Sequence, residues 1–80
     1  MTMENGKMYA ILFSGVLLIV RYREQTTTDY LFFTHLQYWC GHENYFSGGY
    51  CVKNGIEEIR QATDAERHTL FRHEVEKGDV

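Results

Sequence analysis

The chain contains no proline and only two cysteines, Cys40 and Cys51, among its 80 residues. Without proline there is no rigid spacer, and no low-complexity tract or internal repeat marks a second unit, so a single domain over residues 1–80 is expected. Two cysteines are too few to staple a secreted mini-protein, and no small-residue cleavage site follows the apolar start, so a reducing, cytoplasmic setting is expected. Cationic charge is scarce too. Eight Lys and Arg against 11 Asp and Glu leave a net charge of −3, the wrong sign for neutralising a row of phosphates. Nucleic acid is thereby disfavoured as a partner, and the scattered basic residues equally exclude a mimic of its backbone. No apolar run reaches the roughly 20 residues that span a bilayer. The longest, Ala10 to Val20, has 11 residues and is interrupted at Gly15, which reads as two buried strands and no membrane contact.

What is present is an ordinary globular composition, 44% apolar and 24% charged, with 15% aromatics. A chain of this size buries about 60–65% of its surface on folding, enough for one small core. A deep cleft lined with unpaired polar groups would consume much of the stability available to it, so an elaborate active site is not expected.

Lys7 to Phe13 forms the first expected strand, Ser14-Gly15 a turn or bulge, and Val16 to Arg23 a second strand that starts buried and ends exposed. Gln25 to Asp29 is a polar turn, and Tyr30 to Leu36 a third strand placing Tyr30, Phe32, Thr34 and Leu36 on one side. Gln37 to Gly49 changes character and reads as a long loop or irregular hairpin. Tyr50 to Lys53 and Ile56 to Arg60 are two short strands that the intervening Asn54-Gly55, a strong hairpin signal, should pair with each other. Thr63-Asp64-Ala65-Glu66 is a capping box, opening a helix from about Asp64 to Lys77 that stops near Gly78. Leu70, Phe71 and Val75 share a side with Arg67 and Glu74, so the helix should lie shallowly on the sheet, with Phe71 its main anchor.

The stretch Ile59-Arg60-Gln61-Ala62-Thr63-Asp64-Ala65-Glu66-Arg67-His68-Thr69-Leu70-Phe71 resembles a C-terminal pattern, I-R-x-A-T-x-x-E-x-x-x-L-F, found in short uncharacterised proteins of bacteria, their phages and mobile elements. Gln61 stands where those proteins usually carry proline. The resemblance implies a phage or mobile-element origin and transfers no catalytic residue.

Several constellations could carry chemistry. His35, Cys40, His42 and Cys51 are four potential zinc ligands within 17 residues, but Cys40-x-His42 lacks the usual gap between paired ligands. Cys40 activated by His42, with Glu43 orienting it, is the thiol-dependent alternative, although catalytic partners are seldom neighbours in sequence. Ser47-Gly48-Gly49 enters an expected strand and reads as a turn rather than an anion nest. His68 and His73 lie five apart and read as solvated, and Arg21 and Arg23 as charges at an exposed strand end. The aromatic group Tyr38, Trp39, Tyr45, Phe46 and Tyr50 has the composition of a protein-recognition surface, since Trp and Tyr offer large contact area with little rotamer entropy to lose. The bland alternative is that these rings fill the core. Few cations lie near enough for a single-stranded nucleic-acid site, which ranks third.

The expectation is therefore an α+β domain with a small twisted antiparallel sheet of four or five strands, open or partly closed in an SH3-like way, and a C-terminal helix. Its expected role is non-enzymatic binding of a protein partner through Tyr38, Trp39, Tyr45, Phe46 and Tyr50, without a cofactor. An exposed sheet edge also allows a homodimer. The alternative is a zinc- or thiol-dependent protein centred on Cys40, His42 and Cys51.

Overall fold

A computed structural model of the chain describes residues 2–80. The strands are β1 (Met8–Phe13), β2 (Val16–Gln25), β3 (Asp29–Trp39), β4 (His42–Ser47), β5 (Tyr50–Val52) and β6 (Ile56–Gln61), followed by the helix α1 (Asp64–Lys77). They form one six-stranded antiparallel sheet in the order β4-β3-β2-β1-β6, with β5 paired to the other end of β3. The sheet is not closed into a barrel.

The apolar run read as two strands is the β1–β2 hairpin, with Met8 opposite Arg21 and Phe13 opposite Val16. Among the described residues no helix is long and apolar enough to cross a membrane. Of the two readings of the Gln37 to Gly49 stretch, a long loop or an irregular hairpin, the structure has a hairpin, and a regular one: β3 continues to Trp39 and turns through Cys40-Gly41 into β4. The φ angles of those two residues, 52° and 75°, are those of a type I′ turn, whose twist suits a two-residue hairpin. Asn54-Gly55 departs from expectation. Lys53–Gly55 is a short 3-10 turn, β5 pairs with β3 and β6 with β1, so the two short strands do not pair with each other. Gly55 is needed there for close approach, because a Cβ on it would stand 2.3 Å from the Phe13 ring.

Two apolar clusters lie on opposite faces of the sheet. The inner face gathers Tyr9, Ile11, Leu18, Val20, Tyr22, Phe32 and Cys51. The helix face gathers Ala10, Ile19, Leu36, Ala62 and Leu70. Tyr30 and Phe32 do not share a side with Thr34 and Leu36 as the alternation alone predicts. The β2–β3 register shifts between the pairs Arg21–Thr34 and Tyr22–Phe32, leaving Phe33 without a partner on β2 and exchanging the faces beyond it.

The helix begins and ends as expected. The Thr63 hydroxyl accepts from the Glu66 amide, the Glu66 carboxylate accepts from the Thr63 amide, and Gly78 closes the helix in the left-handed conformation. Its buried residues, however, are Leu70 and Glu74, while Phe71 and Val75 are exposed. Glu74 is fully buried because Arg21 of β2 grips it twice, Nε to Oε2 at 2.7 Å and Nη2 to Oε1 at 2.8 Å, and the Thr34 hydroxyl donates to Oε2 at 2.6 Å. Burial raises the pKa of Glu74, but the Arg21 and Thr34 hydrogen bonds outweigh it and leave the carboxyl below its ordinary value. Arg21 is thus an internal partner of the helix rather than a free strand-end charge.

Candidate protein-binding surface

The β3–β4 hairpin divides the aromatic group between two faces. Directly opposed residues share a face, and His35–Phe46, Gln37–Asn44 and Trp39–His42 alternate with Leu36–Tyr45 and Tyr38–Glu43. The first set lies on the inner face, where His35 is opposite the buried Val20. The second set lies under α1.

On the helix face, Tyr38 and Tyr45 are structural. The Tyr38 hydroxyl donates to Glu43 Oε1 at 2.9 Å, and burial together with that carboxylate pushes its pKa up to about 12. Tyr45 stacks on His73 with ring centroids 5.5 Å apart and donates to Asp79 Oδ2 at 2.6 Å. The Ser47 hydroxyl donates to the same Asp79 oxygen at 2.6 Å. His73 is half-buried rather than solvated, its Nε2 lying 2.6 Å from Glu43 Oε2, whereas His68 is exposed. Chiefly through this His73 contact, Glu43 is held below the ordinary carboxylate range. These side chains latch the end of the helix to β4.

On the inner face, Trp39 is 61% exposed and Phe46 43% exposed. Tyr50, which opens β5 opposite Leu31 and next to the buried Cys51, is 66% exposed. Phe46 stacks on His35 at 4.9 Å between centroids. His35 Nδ1 lies 2.8 Å from the Gly48 carbonyl oxygen, which can only accept, so Nδ1 carries the proton. Burial lowers the pKa of His35, favouring the neutral ring. Next to this ring an open groove of about 240 Å³ is lined by Phe13, Val16, Leu18, Gln37, Tyr50 and Cys51 among others. Tyr50 thus lines this depression, Phe46 adjoins it through its stack on His35, and Trp39 lies on the same face of β3 as its lining residue Gln37, while Tyr38 and Tyr45 face away.

The candidate zinc ligands do not converge. Cys51 is buried in the inner core opposite Tyr30, with its thiol pushed up to about 11 by burial, and Cys40 is exposed in the hairpin turn. His35 is engaged with Gly48, and His42 is at the hairpin tip opposite Trp39. Among the described residues no group of three His, Cys, Asp or Glu side chains is placed to hold a metal. In the thiol-dependent arrangement Glu43 is not placed to orient His42, because the two neighbours point to opposite faces of β4 and Glu43 serves Tyr38 and His73. Lys53, the cation nearest the aromatic stretch in sequence, sits 5.2 Å from the centre of the Tyr30 ring.

A second depression of about 260 Å³ is lined by Glu4, Lys7, Met8, Tyr9, Gln61 and Arg67. Its Arg67 guanidinium is already engaged, donating to the Ala62 carbonyl oxygen at 2.7 Å and to Asp64. The residues of the I-R-x-A-T-x-x-E tail are architectural. Arg60 donates twice to Glu66, at 2.8 and 3.0 Å, Ala62 is buried and Thr63 caps the helix.

Sequence reasoning left two things about this surface open: whether the stretch is a loop or a hairpin strand, and which strand presents the exposed edge. The detectable signal was the regular alternation His42, Asn44, Phe46 against Glu43, Tyr45, Ser47, which follows a residue pair with no hairpin signature apart from Gly41. Compared with known proteins, the chain matches no family model, no curated protein and no solved structure.

Proposed function

We propose that this chain is a non-enzymatic protein-binding module that engages its partner through Trp39, Phe46 and Tyr50 around the inner-face groove. One observation carries the reading: three large aromatic side chains, each at least 43% exposed, gather at one groove, Tyr50 in its wall, Phe46 stacked on its lining residue His35 and Trp39 on the same strand face as its lining residue Gln37. Large exposed aromatics grouped beside a groove are the composition of binding hot spots, whereas isolated exposed apolar residues are common and carry no such meaning. The two other aromatics of the group, Tyr38 and Tyr45, support the surface from behind by fixing β4 to the helix. The resemblance of the C-terminal tail extends the proposal to an accessory protein of a phage or mobile element, acting on a host protein within the cytoplasm.

The test is quantitative affinity capture with the wild-type chain and with Trp39→Ala, Tyr50→Ala and Phe71→Ala, each confirmed folded by circular dichroism. A partner of the groove is retained by Phe71→Ala and weakened more than about ten-fold by Trp39→Ala or Tyr50→Ala. A set of partners held equally by all four proteins would remove this reading.

A further inference from the structure

We infer that the partner enters as an extended polypeptide strand added to the free edge of β4, with a basic side chain on the helix side of the sheet and an apolar one on the inner side. This rests on the reading of the hairpin as a protein-binding surface and specifies how that surface is used.

The run of paired strands from β4 to β6 ends in two different edges, the three-residue β5 being a short third one beside β3. The outer strand β6 carries Glu57, Glu58 and Arg60 in its six residues, the kind of charge that discourages another strand from pairing. The outer strand β4, His42–Ser47, carries Glu43 alone, and that carboxylate is turned onto the helix face by Tyr38 and His73. The hydrogen-bond pattern then decides which backbone groups are open. In a hairpin with a two-residue turn the flanking pair, here Trp39 and His42, is hydrogen-bonded, and bonded pairs recur at every second position. His42, Asn44 and Phe46 therefore direct their amides and carbonyls inward to β3, and Glu43 and Tyr45 direct theirs outward. A docked strand takes these outward groups, and its side chains alternate between the two faces of the sheet.

The chemistry of those faces sets the composition of the strand. Inner-face residues meet Phe46, with Trp39 further along the same side. Helix-face residues meet Tyr45 and Ser47, both of which donate to Asp79. Those hydroxyls hold the Asp79 carboxyl below its ordinary value, so it is ionised at neutral pH. Among the described residues no cation lies within ion-pair distance of it. A net charge of −3 on the whole chain acts in the same direction. Lys or Arg alternating with an apolar residue matches both sides.

A second copy of the chain fits this edge poorly. Antiparallel pairing of two β4 edges must oppose outward-facing residues to one another, which sets Glu43 opposite Tyr45 or opposite Ser47, in either case beside the Asp79 carboxylate those two hydroxyls hold.

The experiment uses the 15N-labelled full chain and three capped eight-residue peptides: alternating Lys and Val, four Lys followed by four Val, and alternating Glu and Val. The alternating Lys-Val peptide is expected to slow hydrogen exchange of the Glu43 and Tyr45 amides and to bind more tightly than the other two. Asp79→Asn, which keeps an acceptor for both hydroxyls, should weaken that binding about two- to five-fold, with the difference fading at high salt. Shifts at Trp39 and Phe46 without protection of the two edge amides would overturn strand addition while leaving the groove as a binding surface. Equal binding of all three peptides, or no binding of any, would overturn the assigned chemistry. Protection that grows with protein concentration in the absence of peptide would give the edge to a second copy instead. Failure of the groove reading is a separate result, read from the Trp39→Ala and Tyr50→Ala captures.

Discussion

On the inner face of the sheet Ile11, Val20 and Phe32 are buried in a cluster made up of apolar side chains and Cys51. On the helix face the same strands β2 and β3 present Arg21 and Thr34 to the buried carboxylate of Glu74. The helix has few apolar residues, and Leu70 is the one that is fully buried. Apolar contact is non-directional, so a helix with one buried leucine could settle at several rotations with similar burial. A bidentate Arg21–Glu74 pair has one acceptable geometry and a large penalty for being broken. The helix face thus gives up some hydrophobic gain in exchange for a defined helix rotation, and that rotation places Asp79 and His73 against β4. The inner face needs no such device, because covalent turns and strand register already orient it.

This contrast is most directly broken at Glu74. Glu74→Ala should destabilise the fold by about 3–5 kcal/mol by leaving Arg21 without its partner, comparable to the roughly 2–5 kcal/mol expected of Ile11→Ala in the inner core. Urea denaturation should then separate them. Combining Arg21→Met with Glu74→Leu recovers most of the loss, since replacement of a buried pair by apolar residues is often neutral or favourable, whereas no second substitution on the helix face restores Ile11→Ala.

Acid sharpens the same contrast. Glu74 and Glu66 both lie below their ordinary value of 4.5, and for Glu66, held mainly by Arg60, the value falls to about 2. A depressed carboxyl contributes stability above its unfolded pKa and loses it as pH falls through the folded one. Stability should therefore fall from pH 4.5 towards pH 2, with the helix loosening first, as followed by far-ultraviolet circular dichroism. The penalty of Glu74→Gln should shrink over that range, while that of Ile11→Ala should stay constant.

Smaller effects test the ends of the helix-face arrangement. Thr63→Ala removes the acceptor for the Glu66 amide and should cost about 1 kcal/mol, read as a lower midpoint in thermal melting. Phe71→Ala should change stability by less than about 0.5 kcal/mol, because the ring is 48% exposed and outside the buried side of the helix. A large loss for Phe71→Ala would mean that the helix docks in another rotation and that the Arg21–Glu74 pair does not define its seat.

The sequence was most legible where few consecutive residues hold all the information. The capping box Thr63 to Glu66 is a local device, and the helix it opens runs over Asp64–Lys77 as read. The Ser14-Gly15 turn was legible for the same reason, with Met8–Phe13 pairing directly across it from Phe13 opposite Val16 to Met8 opposite Arg21. Legibility failed where the partner is distant. Asn54-Gly55 has the local preference for a hairpin, but β5 and β6 are claimed by β3 and β1, and the turn became a bridge between two parts of the sheet. Whether β4 is a strand was left open because Cys40, a residue without a turn preference, takes a positive φ in its hairpin. The aromatic surface was legible as a composition. Which rings face solvent was not, since the register on β3 assigns Trp39 and Phe46 to one face and Tyr38 and Tyr45 to the other.

By itself, the sequence determined the class of the fold, an antiparallel sheet followed by a capped helix, because alternation, turn residues and caps act over neighbouring positions. Only the tertiary structure decided that Glu74 is a core residue and Phe71 is not, because the decision depends on Arg21, 53 positions away in the chain. The same holds for the open edge at β4. An edge exists only once strand order is set, and strand order is a competition among all segments that no local preference resolves.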